Sequence, residues 1–199
     1  MVLTILAVLI SYLLGSLSFS ILIAKWVKGI DIRNYGSGNA GATNTLRVLG
    51  KGPGIAVFLL DIAKGVIAVV LGLYVAGGDW GPVLCGLAAI AGHNWPVWFG
   101  FKGGKGIATT VGVMATLAFV PALIAGAVAI ISIAITRFVS LGSLIFAVLM
   151  PIFIWNIGDK PFTYVWASLV VCVLAFVRHR TNIVKLLQGK ENKLGARKG

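Results

Sequence analysis

The sequence predicts an all-α integral membrane protein with seven transmembrane helices, and three observations support this fold class. Apolar residues make up 59% of the 199 residues and charged residues only 11%, which is far from the composition of a soluble domain. Apolar runs of about 20 residues, long enough to cross a bilayer, recur along the chain. Lys and Arg outnumber Asp and Glu by 17 to 5, as is typical when basic loops face the cytoplasm.

The first half of the chain contains three apolar runs. Val2–Ala24 is the first expected span, because it lacks the charged start and the cleavage site of a signal peptide. Lys25–Pro53 is a polar, basic loop. Gly54–Ala76 and Pro82–Trp98 are the second and third expected spans.

The apolar run Ile107–Thr136 is long enough for one overlong span or two short ones. Two crossings, with a bend near Pro121, place every Lys and Arg except Lys64 and Lys160 on one face. The positive-inside rule favours this arrangement. With the last two spans at 139–157 and 161–177, joined by Gly158–Lys160, it predicts an amino terminus outside and a carboxy terminus in the cytoplasm.

One membrane-embedded domain is expected over residues 1–199. Its carboxy end, residues 178–199, alternates cations with Ile183, Leu186 and Leu187 at helical spacing. This pattern predicts a basic tail on the cytoplasmic surface of the membrane.

A small, polar stretch, residues 36–47, is the part of the chain that membrane packing does not explain. Three glycines allow backbone N–H groups to converge on one point, which favours an anion such as phosphate. The side chains between them are hydrogen-bond donors. The candidate binding residues are Ser37, Gly38, Asn39, Gly41, Thr43, Asn44 and Arg47. A flexible connection between two helices is the alternative.

Further polar groups fall on the same expected face. Lys102 and Lys105, separated by Gly103 and Gly104, are spaced to hold an anion. The other two groups are 137–140 and 178–182, and together the four predict a cationic surface with little acid. Within the second span, Asp61 and Lys64 share one helical face, where a functional role and a structural ion pair are both open.

Several kinds of chemistry do not fit. The five acids do not cluster, so no Mg²⁺ site is expected, and no other cofactor is indicated. Neither histidine is followed five positions later by Asp. The GxGxxG match at Gly36 has no preceding strand, and no soluble basic module suggests nucleic acid. Cys85 and Cys172 lie in apolar runs and are typical of buried thiols.

Three stretches closely resemble the signatures of the bacterial acyl-phosphate:glycerol-3-phosphate acyltransferases. The first is GSGNAGATN at residues 36–44, the second is GHNWPV at 92–97 with FGFKGGKG at 99–106, and the third is RHRTN at 178–182. The resemblance covers essentially the whole chain. It implies transfer of a fatty acyl group from acyl phosphate to the 1-hydroxyl of glycerol 3-phosphate, giving lysophosphatidic acid and phosphate.

The resemblance also implies roles for individual residues. Ser37 and the glycine turn would cradle a phosphate, and Lys102 and Lys105 would hold glycerol 3-phosphate or the departing phosphate. His179 and Asn182 would orient the attacking hydroxyl. Arg137 and Ser140 would supply a short third contact. The implied setting is the bacterial inner membrane, with membrane lipid around the protein, the site on the cytoplasmic face, and no obligate protein partner.

Alternatives remain at this point. Either His179 or a substrate phosphate oxygen takes the proton of the attacking hydroxyl, and His93 either orders its loop or takes part in the chemistry. The same cationic residues would also suit a transporter for a small phosphorylated metabolite, although paired repeats and polar residues at the midplane are not evident. A purely structural membrane partner is a third reading.

Overall fold

The computed structural model describes residues 1–157 and 160–195, and these residues form helices joined by loops. The described chain contains no β-strand. It divides into two compact units, the first Met1–Leu117 and the second beginning at Ala118. The expected turn at Gly158–Lys160 and the expected tail 178–199 lie partly outside the described residues. The expectation of a single domain stays a prediction.

The first unit contains six helices. Their bounds are α1 Val2–Gly15, α2 Phe19–Lys28, α3 Ala42–Leu49, α4 Lys51–Leu71, α5 Trp80–Asn94 and α6 Ile107–Leu117. A π-helical segment, Gly72–Ala76, extends α4. The first expected span is therefore interrupted, because residues 16–18 separate α1 from α2.

Glycines allow the helices of the first unit to approach closely. A Cβ on Gly15 would overlap the Ala89 backbone, and one on Gly92 would overlap the Tyr12 carbonyl, so α1 and α5 touch backbone to backbone. A Cβ on Gly112 would likewise overlap the Ile62 carbonyl, where α6 meets α4. Small residues at helix contacts are a standard means of packing in membranes, because they bring backbones together.

The second unit contains three long helices, α7 Phe119–Thr136, α8 Val139–Asn156 and α9 Phe162–Leu187. α6 ends and α7 begins around Ala118, three residues before the expected bend at Pro121. Pro121 lies in the first turn of α7, where a missing N–H leaves no helical hydrogen bond unmade. α9 bends by 62° between Phe162–Arg178 and Arg180–Leu187.

Fewer helices than expected are long enough by themselves to cross a membrane. Four described segments have the required length and composition, and the bent α9 makes five. The four are Val2–Lys28, Lys51–Ala76, Phe119–Thr136 and Val139–Asn156. α5 and α6 have 15 and 11 residues, which at about 1.5 Å per residue is shorter than the bilayer core of about 30 Å. The count of seven and the orientation stay predictions.

Candidate active site

The glycine loop, residues 36–41, has a fixed shape held from beneath by Asn44. Gly36 and Gly38 have positive φ values of 62° and 75°, which glycine adopts without strain. The buried Asn44 amide accepts a hydrogen bond from the Ser37 N–H at 2.8 Å and donates to the Tyr35 carbonyl at 3.0 Å. It also donates to the Ile32 carbonyl at 3.2 Å. The structure therefore places the Asn44 amide against the loop backbone.

The loop presents its other predicted residues at the start of α3. Ser37 and Gly38 are exposed, and Asn39 and Thr43 are half-buried. Gly41 is the extended N-cap residue of α3, and its carbonyl accepts a hydrogen bond from the Thr45 hydroxyl at 3.1 Å. Donors at the first turn of a helix suit an anion. Arg47 is half-buried in the last turn of the same helix.

The lysine loop, residues 99–106, folds back onto the end of α5. The Gly104 N–H donates to the His93 carbonyl at 3.1 Å. A Cβ on Gly103 would overlap that carbonyl, and a Cβ on Gly104 would overlap both the His93 ring and the Ala40 carbonyl. Ala40 belongs to the glycine loop, so the two loops meet at Gly104. Lys102 is exposed there and Lys105 is half-buried.

Arg33, three residues before the glycine loop, binds the lysine loop, and sequence reasoning did not single it out. Its guanidinium donates to the Phe99 carbonyl at 2.8 Å and to the Lys102 carbonyl at 3.3 Å. Asp31 orients the guanidinium through hydrogen bonds of 2.7 to 3.1 Å. These bonds lower the pKa of Asp31. The spacing of an acid and an arginine two residues apart was the available signal.

In the second unit, Glu191 gathers two of the predicted site residues. Its Oε1 accepts hydrogen bonds from the Asn182 amide at 2.8 Å and from the Ser140 hydroxyl at 3.1 Å. Both partners are therefore oriented by a single carboxylate. Glu191 was counted only as an isolated acid, because nothing in the sequence shows that the tail folds back to α8 and α9.

Arg137 is held at the turn between α7 and α8. It has a positive φ of 64°, and its guanidinium donates to the Leu194 carbonyl at 3.1 and 2.7 Å. The Leu194 N–H returns a hydrogen bond to the Arg137 carbonyl at 2.7 Å. The side chain predicted as a substrate contact thus also fastens the chain that follows Glu191.

His179 lies at the bend of α9 and is buried, with 3% of its surface exposed. Its Nδ1 is 2.8 Å from the Ala175 carbonyl. A carbonyl can only accept, so Nδ1 carries the proton in this bond. In the neutral ring, Nε2 is then the unprotonated nitrogen and is able to accept a proton.

The predicted site residues therefore form two groups, one in each unit. Asp61 and Lys64 form the ion pair that the sequence suggested, with 2.8 Å between Oδ1 and Nζ. Among residues 1–157 and 160–195, no three His, Cys, Asp or Glu residues lie together as a metal-ligand group. The expected absence of a metal stays a prediction.

A family model and several known proteins match almost the whole chain. A family model described as glycerol-3-phosphate acyltransferase matches residues 5–189. A glycerol-3-phosphate acyltransferase of Shouchella clausii (strain KSM-K16) is 58% identical over 193 residues, covering 94% of each chain. The corresponding protein of Halalkalibacterium halodurans is 54% identical over the same length, again covering 94% of each chain.

Two solved structures have a similar fold. Both are crystal structures of PlsY (YgiH), an integral membrane glycerol 3-phosphate acyltransferase. Its glycerol 3-phosphate form has a TM-score of 0.91 and 41% identity, covering 96% of both chains. Its lysophosphatidic acid form has a TM-score of 0.89 and 40% identity, covering 96% of this chain and 95% of that one. Because the family model matches most of the chain and two relatives are more than half identical to it, this all-helical integral membrane protein belongs to the glycerol-3-phosphate acyltransferase family.

Proposed function

We propose that this acyltransferase takes its acyl group from acyl phosphate and transfers it to the 1-hydroxyl of glycerol 3-phosphate. The observation that carries the proposal is the contact between the glycine loop and the lysine loop at Gly104. It brings the N–H groups at the first turn of α3 close to the loop that carries Lys102 and Lys105. Both substrates carry a phosphate, and such donors bind phosphates without a metal.

Acyl phosphate suits these residues because it brings its own leaving group. The hydroxyl oxygen of glycerol 3-phosphate attacks the acyl carbon and forms the new ester bond. The bond between the acyl carbon and the phosphate oxygen breaks, and the phosphate leaves with the electron pair. The chain then needs to position the two substrates and to stabilise the charge that develops.

His179 is the proposed acceptor of the hydroxyl proton. The hydrogen bond from Nδ1 to the Ala175 carbonyl favours the tautomer in which Nε2 is the basic nitrogen. The oriented amide of Asn182 is proposed to direct the hydroxyl. A phosphate oxygen of the substrate is the alternative acceptor, and a His179 variant distinguishes the two.

We also propose seven membrane crossings, with the amino terminus outside and the site on the cytoplasmic face of the inner membrane. α1 and α2 together make the first crossing, and α4, α7, α8 and the first part of α9 make four more. The short helices α5 and α6 make the other two, which a locally thinner bilayer would accommodate. The support is the distribution of Lys and Arg. In a chain without Cys85 and Cys172, a cysteine at Asp79 should react with an impermeant thiol reagent from outside and one at Arg137 should not. The opposite result would reverse the orientation.

The donor is tested with purified protein in lipid vesicles. Glycerol 3-phosphate is supplied with acyl phosphate, or with the matching acyl-CoA, and lysophosphatidic acid is measured together with phosphate. We expect one phosphate released for each lysophosphatidic acid formed from acyl phosphate, without added Mg²⁺. Product from acyl-CoA alone would overturn the proposed donor.

A further inference from the structure

A buried ion pair lies inside the second expected span and is not among the residues proposed to touch substrate. Asp61 and Lys64 are each 1% exposed, and they are one helical turn apart on α4. Charged groups within a membrane span are costly even when paired. Each of the two charges also approaches a residue outside α4.

Lys64 forms a hydrogen bond at the break between α1 and α2. Its Nζ donates to the Leu17 carbonyl at 2.8 Å, within residues 16–18 between α1 and α2. The Ile21 N–H, which would bind this carbonyl in a continuous helix, donates to Ser18 instead. A carbonyl at such a break needs another donor, because lipid offers none. Lys64 supplies it and holds the start of α2, which leads to the glycine loop.

Asp61 lies next to His93, which packs against the lysine loop. Its Oδ1 is 3.5 Å from Nδ1 of His93, whose side chain is 5% exposed. The His93 carbonyl accepts the hydrogen bond from the Gly104 N–H, and the His93 ring packs directly against Gly104. His93 is therefore the surface on which the lysine loop rests.

We propose that Asp61, Lys64 and His93 are positioning residues that set the spacing between the glycine loop and the lysine loop. The contacts run from Leu17, just before α2, through Lys64, Asp61 and His93 to Gly104 of the lysine loop. At the other end, α2 packs in one apolar cluster with Ala40 of the glycine loop. This inference rests on the proposed function, in which those loops hold the phosphate of a substrate.

Stability alone does not require these charges. Replacing a buried ion pair with apolar residues of similar size is often neutral or stabilising, whereas removing one partner leaves an unpaired buried charge. An apolar pair would fill the same space on α4. It would not donate to the Leu17 carbonyl or place a carboxylate beside the His93 ring. A double variant should therefore fold but bind substrate more weakly.

The experiment compares Lys64→Met, Asp61→Leu and the double variant Asp61→Leu/Lys64→Met in lipid vesicles. Each single variant should unfold at a lower temperature. The double variant should recover part of this loss, because it contains no unpaired buried charge but still leaves the Leu17 carbonyl without its donor. Its KM for glycerol 3-phosphate should nevertheless remain raised by about tenfold or more, with kcat within about threefold. A folded double variant with the wild-type KM would overturn the inference.

Thr116→Val is the matched control. It also removes a polar group from the first unit, but the half-buried Thr116 hydroxyl donates only to the Gly112 carbonyl of its own helix, so KM should not change. His93→Leu provides a second route if the double variant does not fold. It cuts the same contacts at their other end, and a folded His93→Leu protein with the wild-type KM would also contradict the proposal.

Direct binding of glycerol 3-phosphate, measured by calorimetry, separates this inference from the proposed function. Wild-type protein that binds no glycerol 3-phosphate would overturn the role of the two loops. If the wild type and the double variant bind glycerol 3-phosphate with the same affinity, only the positioning role would be overturned. The donor test does not affect either outcome.

Discussion

The two units position their site residues by different means. In the first unit, the loops are fixed mainly by contacts made to backbone groups. The Asn44 amide binds the Ser37 N–H and the Tyr35 carbonyl, and Gly104 packs between the His93 ring and the Ala40 carbonyl. In the second unit, side chains bind one another, with Glu191 gathering Ser140 and Asn182. The first arrangement suits the binding of a phosphate, and the second suits the orientation of a hydroxyl and its proton.

This difference predicts different kinetic consequences. Changes in the backbone-built loops should weaken substrate binding, because the donors there act on the ground state as well as on the transition state. Changes around Glu191 and His179 should lower turnover, because alignment and proton transfer matter most in the transition state. Each substitution below tests one side of this contrast.

The largest effect is expected at His179. His179→Ala removes the proposed proton acceptor, so kcat should fall by about 10²-fold to 10⁴-fold while KM for glycerol 3-phosphate changes little. Steady-state kinetics in lipid vesicles measure both. The exposed Lys185→Ala serves as the control on the same helix. A folded His179→Ala enzyme with normal kcat would show that a substrate phosphate oxygen takes the proton.

Glu191 should have the next largest effect. Glu191→Ala removes the acceptor shared by Ser140 and Asn182, and a decrease in kcat of about tenfold to a hundredfold is expected from losing hydrogen bonds to a charged group. Glu191→Gln keeps a carbonyl oxygen as acceptor and should fall between this variant and the wild type. Equal kcat values for the wild type and both variants would mean that Glu191 does not orient Ser140 and Asn182.

Lys105 tests the binding side of the contrast. Lys105→Ala should raise KM for glycerol 3-phosphate by about tenfold, because a charge-assisted contact to phosphate is lost, with a smaller change in kcat. Lys160→Ala, at an exposed lysine of the second unit, is the control. A decrease in kcat with unchanged KM would place Lys105 with the transition-state groups instead.

The smallest effect is expected at Asp31. Its pKa is lowered by the hydrogen bonds from Arg33, so this ion pair is fully formed above the ordinary value of 3.8 and is lost as pH falls below it. The pair is partly exposed, and Asp31→Asn should raise KM by no more than about fivefold at neutral pH. Asp79→Asn is the control. A larger rise would mean that Asp31 contacts substrate directly.

The sequence predicted the helical membrane class and the family because both depend on local patterns: long apolar runs, and short motifs of glycine, lysine and histidine. The interruption at residues 16–18 was not predicted, because Ser16, Leu17 and Ser18 do not disturb the apolar run. The Lys64 contact that supports it spans 47 positions in sequence. Arg33 and Glu191 were missed for the same reason, since each acts on partners that only the folded chain brings near.

The central claim is that the glycine loop and the lysine loop together bind one phosphate where they meet. Gly104→Ala tests this directly, because its Cβ would overlap both the His93 ring and the Ala40 carbonyl. Gly52→Ala is the matched control, since the added Cβ meets no atom within 4 Å outside its own stretch of α4. We predict that Gly104→Ala raises the calorimetric Kd for glycerol 3-phosphate by about tenfold or more in folded protein, while Gly52→Ala leaves it unchanged. An unchanged Kd in folded Gly104→Ala would contradict the claim.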